Sequence, residues 1–204
     1  NSYPAIHSEK NSFIYYLIAD NKSIDLQLKS LKPLIKNLNK EINDKLKNEI
    51  AESFKNLQKI NLHYEVKENI LFPVLEQKWN NHSCLKLMWS FHDDIRQNIK
   101  ACIKCLETKQ FDLVLFNELS SKVFFNVYTI IFREEKLLFP IIIENIEKDI
   151  LDNMLQQCNE MRLPFVETNY ANKEKTTKRE EISRNRIKMS TGELSLEQLE
   201  LIFK

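Results

Sequence analysis

HYEVKENILFP, residues 63–73, has a near-copy in IIFREEKLLFP, residues 130–140. Both phrases close on Phe-Pro, and the offset between them is 67 residues. Aligned, they put His63 opposite Ile130, Lys67 opposite Glu134 and Glu68 opposite Glu135. Positions four apart share one face of an α-helix. Each phrase therefore reads as the end of a helix that carries polar side chains on an otherwise apolar stripe and stops at proline.

The rest of the chain repeats the helical period. Phe13, Leu17, Ile24, Leu28, Leu31 and Leu34 give a first helix over about 13–38, with Pro33 inside it expected to kink or interrupt it. Leu46, Ile50, Phe54, Leu57, Ile60 and His63 run on into Phe72 as a second. After the polar joint Trp79–Ser83 comes a third, about 84–107, with Leu87, Phe91, Ile95, Ile99 and Ile103 on one face. A fourth starts at Phe111 or Asp112 and reaches Phe139, and a further one covers about 141–161. The chain has one glycine and five prolines in 204 residues, too few for a fold built on hairpins. The expected class is all-α, an up-down-up-down four-helix bundle with an additional C-terminal helix and tail. Its expected parts are a lead-in at 1–12, the bundle at 13–167 and, at 168–204, a charged linker with an amphipathic helix over Thr191–Phe203.

A net charge of +1 implies no attraction to nucleic acid or acidic membranes. No run of apolar residues is long enough to span a bilayer. Four cysteines make no disulfide framework in a chain of this length, which points to reduced thiols and a cytoplasmic location. Cys102 and Cys105 form a C-x-x-C pair, but mid-helix and without a second pair for zinc. With one glycine there is no phosphate-binding loop and no nucleophile elbow, and no acid-base pair with a substrate-shaped partner can be assembled, so no enzyme is expected.

His63 and His92 stand on the apolar faces of the second and third helices, while His7 and His82 fall in the lead-in and a joint. An inward histidine is often only a hydrogen-bonded core residue. Two on neighbouring helices, with Glu68, Asp93, Asp94, Glu134 and Glu135 at hand, also suit a metal site in a bundle core.

Three motifs, His63–Pro73, Met88–Arg96 and Phe132–Pro140, resemble the hemerythrin-like (HHE cation-binding) domain, and most of all the bacterial subfamily in which it precedes a PAS sensor domain. The resemblance covers about 13–161, and Thr191–Phe203 is similar to the helix leading into PAS. It implies a four-helix bundle around non-haem iron, mono- or di-nuclear, that responds to oxygen, nitric oxide or redox state and signals to a downstream PAS domain. The implied metal residues are His63, His92 and Glu134, with Tyr15 at the place of the first-helix histidine and Glu68 as a displaced acid. Asp20-Asn21 matches the acid-Asn pair that follows in that helix. This sequence departs from the family pattern twice: Lys67 stands where an acid belongs, and Ile130 where a histidine belongs. Lys67 lies on the His63 face and could pair with Glu134, replacing the charge of a metal with an ammonium. Two other expectations follow: a metal-free bundle serving as a structural or homodimerisation module, and a bundle converted to haem binding through His63 or His92.

Overall fold

The computed structural model describes residues 8–79 and 83–167, together with the backbone of 186–189 and 192–195. The chain divides into two compact units, 1–169 and 170–204. In the first unit the described residues form helices: α1 (Phe13–Leu38), α2 (Asp44–Leu57), α3 (Ile60–Val66), α4 (Phe72–Lys78), α5 (Ser83–Glu107), α6 (Leu113–Arg133), α7 (Phe139–Asn145) and α8 (Lys148–Met161). None of these helices is long and apolar enough to cross a membrane.

Short polar side chains start the long helices. Ser12 Oγ accepts the Tyr15 N–H at 3.1 Å, Asn43 Oδ1 that of Leu46 at 2.9 Å, and Asp112 Oδ1 that of Leu115 at 3.0 Å. Each satisfies an amide that has no partner inside its own helix. Helix α1 runs through Pro33 without interruption, which corrects one of the two outcomes expected there. The second helix breaks at Gln58–Lys59, so α2 and α3 are separate.

The buried stripe of α5 is Leu85, Met88, His92, Ile95, Ile99 and Cys102. That is a face rotated from the expected one, since Leu87 is exposed. Helix α5 packs on α2 and α6, and α1 on α2, α3, α6 and α8. The core is one continuous cluster, with Phe54, Phe72, Phe116 and Phe139 among its largest wholly buried members.

Both copies of the repeated phrase form a π-helical turn. Lys67–Leu71 joins α3 to α4, and Glu134–Leu138 joins α6 to α7. In each, the amide of the phenylalanine before proline reaches back five residues, Phe72 N–H to Lys67 and Phe139 N–H to Glu134. A π turn holds one more residue than an α turn, and such turns often mark functional positions. They also explain why Pro73 and Pro140 do not end their helices: each is the second residue of a new helical segment, where a missing N–H costs nothing.

In the second unit, Arg186–Met189 pairs antiparallel with Gly192–Ser195, Arg186 opposite Ser195 and Met189 opposite Gly192. The helix expected from Thr191 is therefore extended over 192–195, where cross-strand pairing takes up the backbone groups. The remainder of that expectation, with His7, His82 and most of the charged linker, lies outside the described residues.

Candidate functional site

The two π turns bring equivalent positions face to face. Lys67 Nζ donates to Glu134 Oε1, with both side chains wholly buried. These are the first residues of the two turns, and they occupy the same place in the repeated phrase. Helix α1 closes one side: Asn21 Nδ2 donates to Glu134 Oε2 at 3.2 Å and reaches Glu135 Oε1 at 3.5 Å. Burial alone would push the Glu134 carboxyl up; the Lys67 ammonium, then His63, outweighs it and holds the group below the usual carboxylate range. Burial pushes Lys67 down, against the pull of Glu134.

Two histidines flank this pair. His92 Nδ1 lies 2.7 Å from Glu68 Oε1, and Arg96 Nη2 donates to Glu68 Oε2 at 2.7 Å. Burial would raise Glu68, but His92 and Arg96 together hold it low. An ionised carboxylate only accepts, so His92 carries its proton on Nδ1 and leaves a lone pair on Nε2. Burial, reinforced by Lys67, pushes His92 down to about 4. Its ring is stacked on Tyr64, with centroids 3.9 Å apart, and lies parallel to Phe72 at 5.8 Å. His63 Nδ1 stands 2.8 Å from Asp20 Oδ2, out of line for a well-formed hydrogen bond. Burial, then Lys67, lowers His63 as well. The Nε2 atoms of both histidines and the Tyr64 hydroxyl are buried without a hydrogen-bond partner among the described residues.

Residues 12–142, well over half of the chain, match the family model of the hemerythrin HHE cation binding domain. The chain belongs to the hemerythrin HHE family. No curated protein is similar enough to this chain to narrow the comparison. The match starts at Ser12, the cap of α1, and ends within α7, so it contains both π turns and every residue of the central cluster.

Within this HHE domain, His63, His92, Glu68 and Glu134 are all buried around one centre. Glu68 reaches it because the π turn starting at Lys67 widens the helix, so consecutive residues Lys67 and Glu68 both turn inward. A regular helix would separate them by about 100°. Tyr15 makes no described contact with the cluster. It is half-buried in the first turn of α1, edge-on to Tyr16 at 5.4 Å, and no described contact joins it to either histidine. From α1 the centre receives Asp20 and Asn21 instead. Arg96 is the partner that ligand-pattern reasoning leaves out, and Asp20-Asn21 enters it only as a match to the family's acid-Asn pair, with no partner assigned.

The fit to a di-iron centre is poor. Among the described residues, no three His, Cys, Asp or Glu side chains are grouped so as to hold a metal ion. Glu134 has given one oxygen to Lys67 and the other to Asn21, and a buried ammonium beside a divalent ion would be strongly repelled. What remains metal-like is the histidine pair, each ring backed by a carboxylate as a metal-ligating imidazole usually is. The C-x-x-C pair lies elsewhere. Burial pushes the Cys102 thiol up to about 12 and raises Cys105, which donates to the Asp112 carbonyl, so neither is a reactive thiolate.

Proposed function

We propose that this HHE domain is closed by an internal ion pair in place of a metal ion, and serves as a structural or dimerisation module. The observation that carries this reading is Lys67 donating to Glu134 at the centre of the cluster, with no exposed surface on either side chain. One positive charge from the chain stands where the family's acids otherwise need a cation. Lys67 is then paired with Glu134 and Arg96 with Glu68, while Asp20 stands beside His63 and the His92 ring is stacked on Tyr64.

The second reading is the sensory one: a non-haem iron domain responding to oxygen, nitric oxide or redox state and signalling to a PAS domain. It is favoured by the Nε2 atoms of His63 and His92, both buried without a hydrogen-bond partner among the described residues, as nitrogens facing a metal would be. Haem at His92 has no such support, because a porphyrin across Nε2 would meet the Tyr64 ring stacked at 3.9 Å.

Metal analysis after anaerobic reconstitution with iron separates the two. The ion-pair reading expects no stoichiometric metal in the native chain and none lost on His63→Ala or His92→Ala. It also expects Lys67→Glu, which removes the ammonium and restores an acid four residues after His63, to gain metal binding. Metal at about one ion per native chain, abolished by either histidine substitution, establishes the sensory reading instead. Sedimentation of the native chain tests the homodimer.

A further inference from the structure

Asp20 has no exposed surface, and its two oxygens reach different parts of the molecule. Oδ2 stands 2.8 Å from His63 Nδ1 in the central cluster. Oδ1 accepts the backbone N–H of Phe165 at 3.0 Å. Phe165 belongs to no helix. Helix α8 ends at Met161, Arg162 turns the chain with a φ of 62°, and Leu163, Phe165 and Val166 then pack on the core. Among the described hydrogen bonds, the one from Phe165 is what ties residues 163–167 to the rest of the helical unit.

A buried carboxylate oxygen without a hydrogen bond is costly, and Oδ2 has none that is well formed, only the His63 ring 2.8 Å away. The place of that ring and the Phe165 amide on Oδ1 together set the rotation of the Asp20 carboxylate. The Phe165 amide in turn holds Oδ2 against the imidazole. Anything that moves the His63 ring must change the hold on Phe165, because one carboxylate meets both.

We propose that Asp20 is a two-sided latch that couples His63 in the central cluster to Arg162–Val166, the segment through which the chain leaves the helical unit. Asp20 is a positioning residue here. The coupling holds whether the centre carries an ammonium or a metal ion, so it stands apart from the reading above.

Amide hydrogen exchange on the full chain, followed by NMR, reads the latch from one end. In His63→Gln, the Phe165 amide exchanges about tenfold faster, the effect of losing a charge-assisted hydrogen bond, while the Ile99 and Val123 amides of α5 and α6 hold their rates. The other end is read at the imidazole. Phe165→Pro removes the donor and the ring, and Phe165→Ala removes the ring alone; the His63 ring nitrogen resonances move in the first and stay in the second. Coupling between two sites is reciprocal, so both ends must respond. Unchanged Phe165 exchange in His63→Gln overturns the latch, as does a rise shared equally with Ile99. Equal His63 resonances in the two Phe165 variants also overturn it, and this pair decides alone if His63→Gln does not fold.

Discussion

Lys67 is the residue on which the centre turns. A lysine with no exposed surface is rare unless paired, and its pairing with Glu134 removes two charges from water at once. Breaking such a pair leaves one charge buried alone. Lys67→Met should therefore cost about 3–5 kcal/mol of folding stability, and Lys67→Met with Glu134→Leu should recover most of it. Urea midpoints of the two variants check this; a double variant no more stable than the single one would show that the pair is not closed on itself.

The histidines make a second residue-scale prediction, in pH. His92 titrates near 4 in the folded chain against 6.5 ordinarily, so the folded state disfavours its protonated form. The resulting stability is fully present above 6.5 and is lost as pH falls from 6.5 towards 4. The whole of that interval corresponds to about 3 kcal/mol. His63 is lowered too and acts in the same direction. Denaturant midpoints should fall over this range in the native chain and fall less in His92→Gln. Glu134, held low beside Lys67, and Glu68, held low by His92 and Arg96, extend the loss below their ordinary 4.5.

At the scale of the element, the π turn is the device that matters. It spends one additional residue so that Lys67 and Glu68 both face inward while Phe72 and Leu75 stay in the core beyond it. Asn69, within the turn, is exposed. Asn69→Ala should change stability by no more than about 0.5 kcal/mol. Deleting Asn69 should be far worse, because it rotates Phe72 and Leu75 by about 100° out of their packed positions. The loss of two such side chains from a core runs to several kcal/mol, about 2–5 for each. Thermal melts of the two variants test it, and a deletion that melts with the substitution would mean the turn carries no register. Pro73 and Pro140 announce a helix end in the sequence. The widened turn before each lets the segment continue, and no propensity rule distinguishes those outcomes.

For the whole molecule, the helical unit holds the cluster, the core and the exit segment within residues 1–169. A chain cut after Glu167 keeps the Asp20–Phe165 contact and the eight described α-helices. It should unfold in one cooperative urea transition, as a domain with its own core does. A broad, non-cooperative urea curve would show that residues up to 167 do not fold by themselves.

The sequence by itself determined the helical class, the bounds of α1 and α5 to within a residue, the cap at Asp112, and the family. Those rest on local periodicity, on short-range capping and on motifs read in order. It also placed His63, His92 and Glu134 on inward faces and offered Lys67 as a partner for Glu134. Tertiary structure alone decided that Glu68 reaches His92, that Asp20 and Asn21 reach the centre from α1, and that α5 turns Met88 and not Leu87 inward. These depend on one inserted residue in a helix and on contacts between residues far apart in the chain. A 3.6-residue period is blind to both, because it assumes an unbroken helix and says nothing of which neighbour lies opposite.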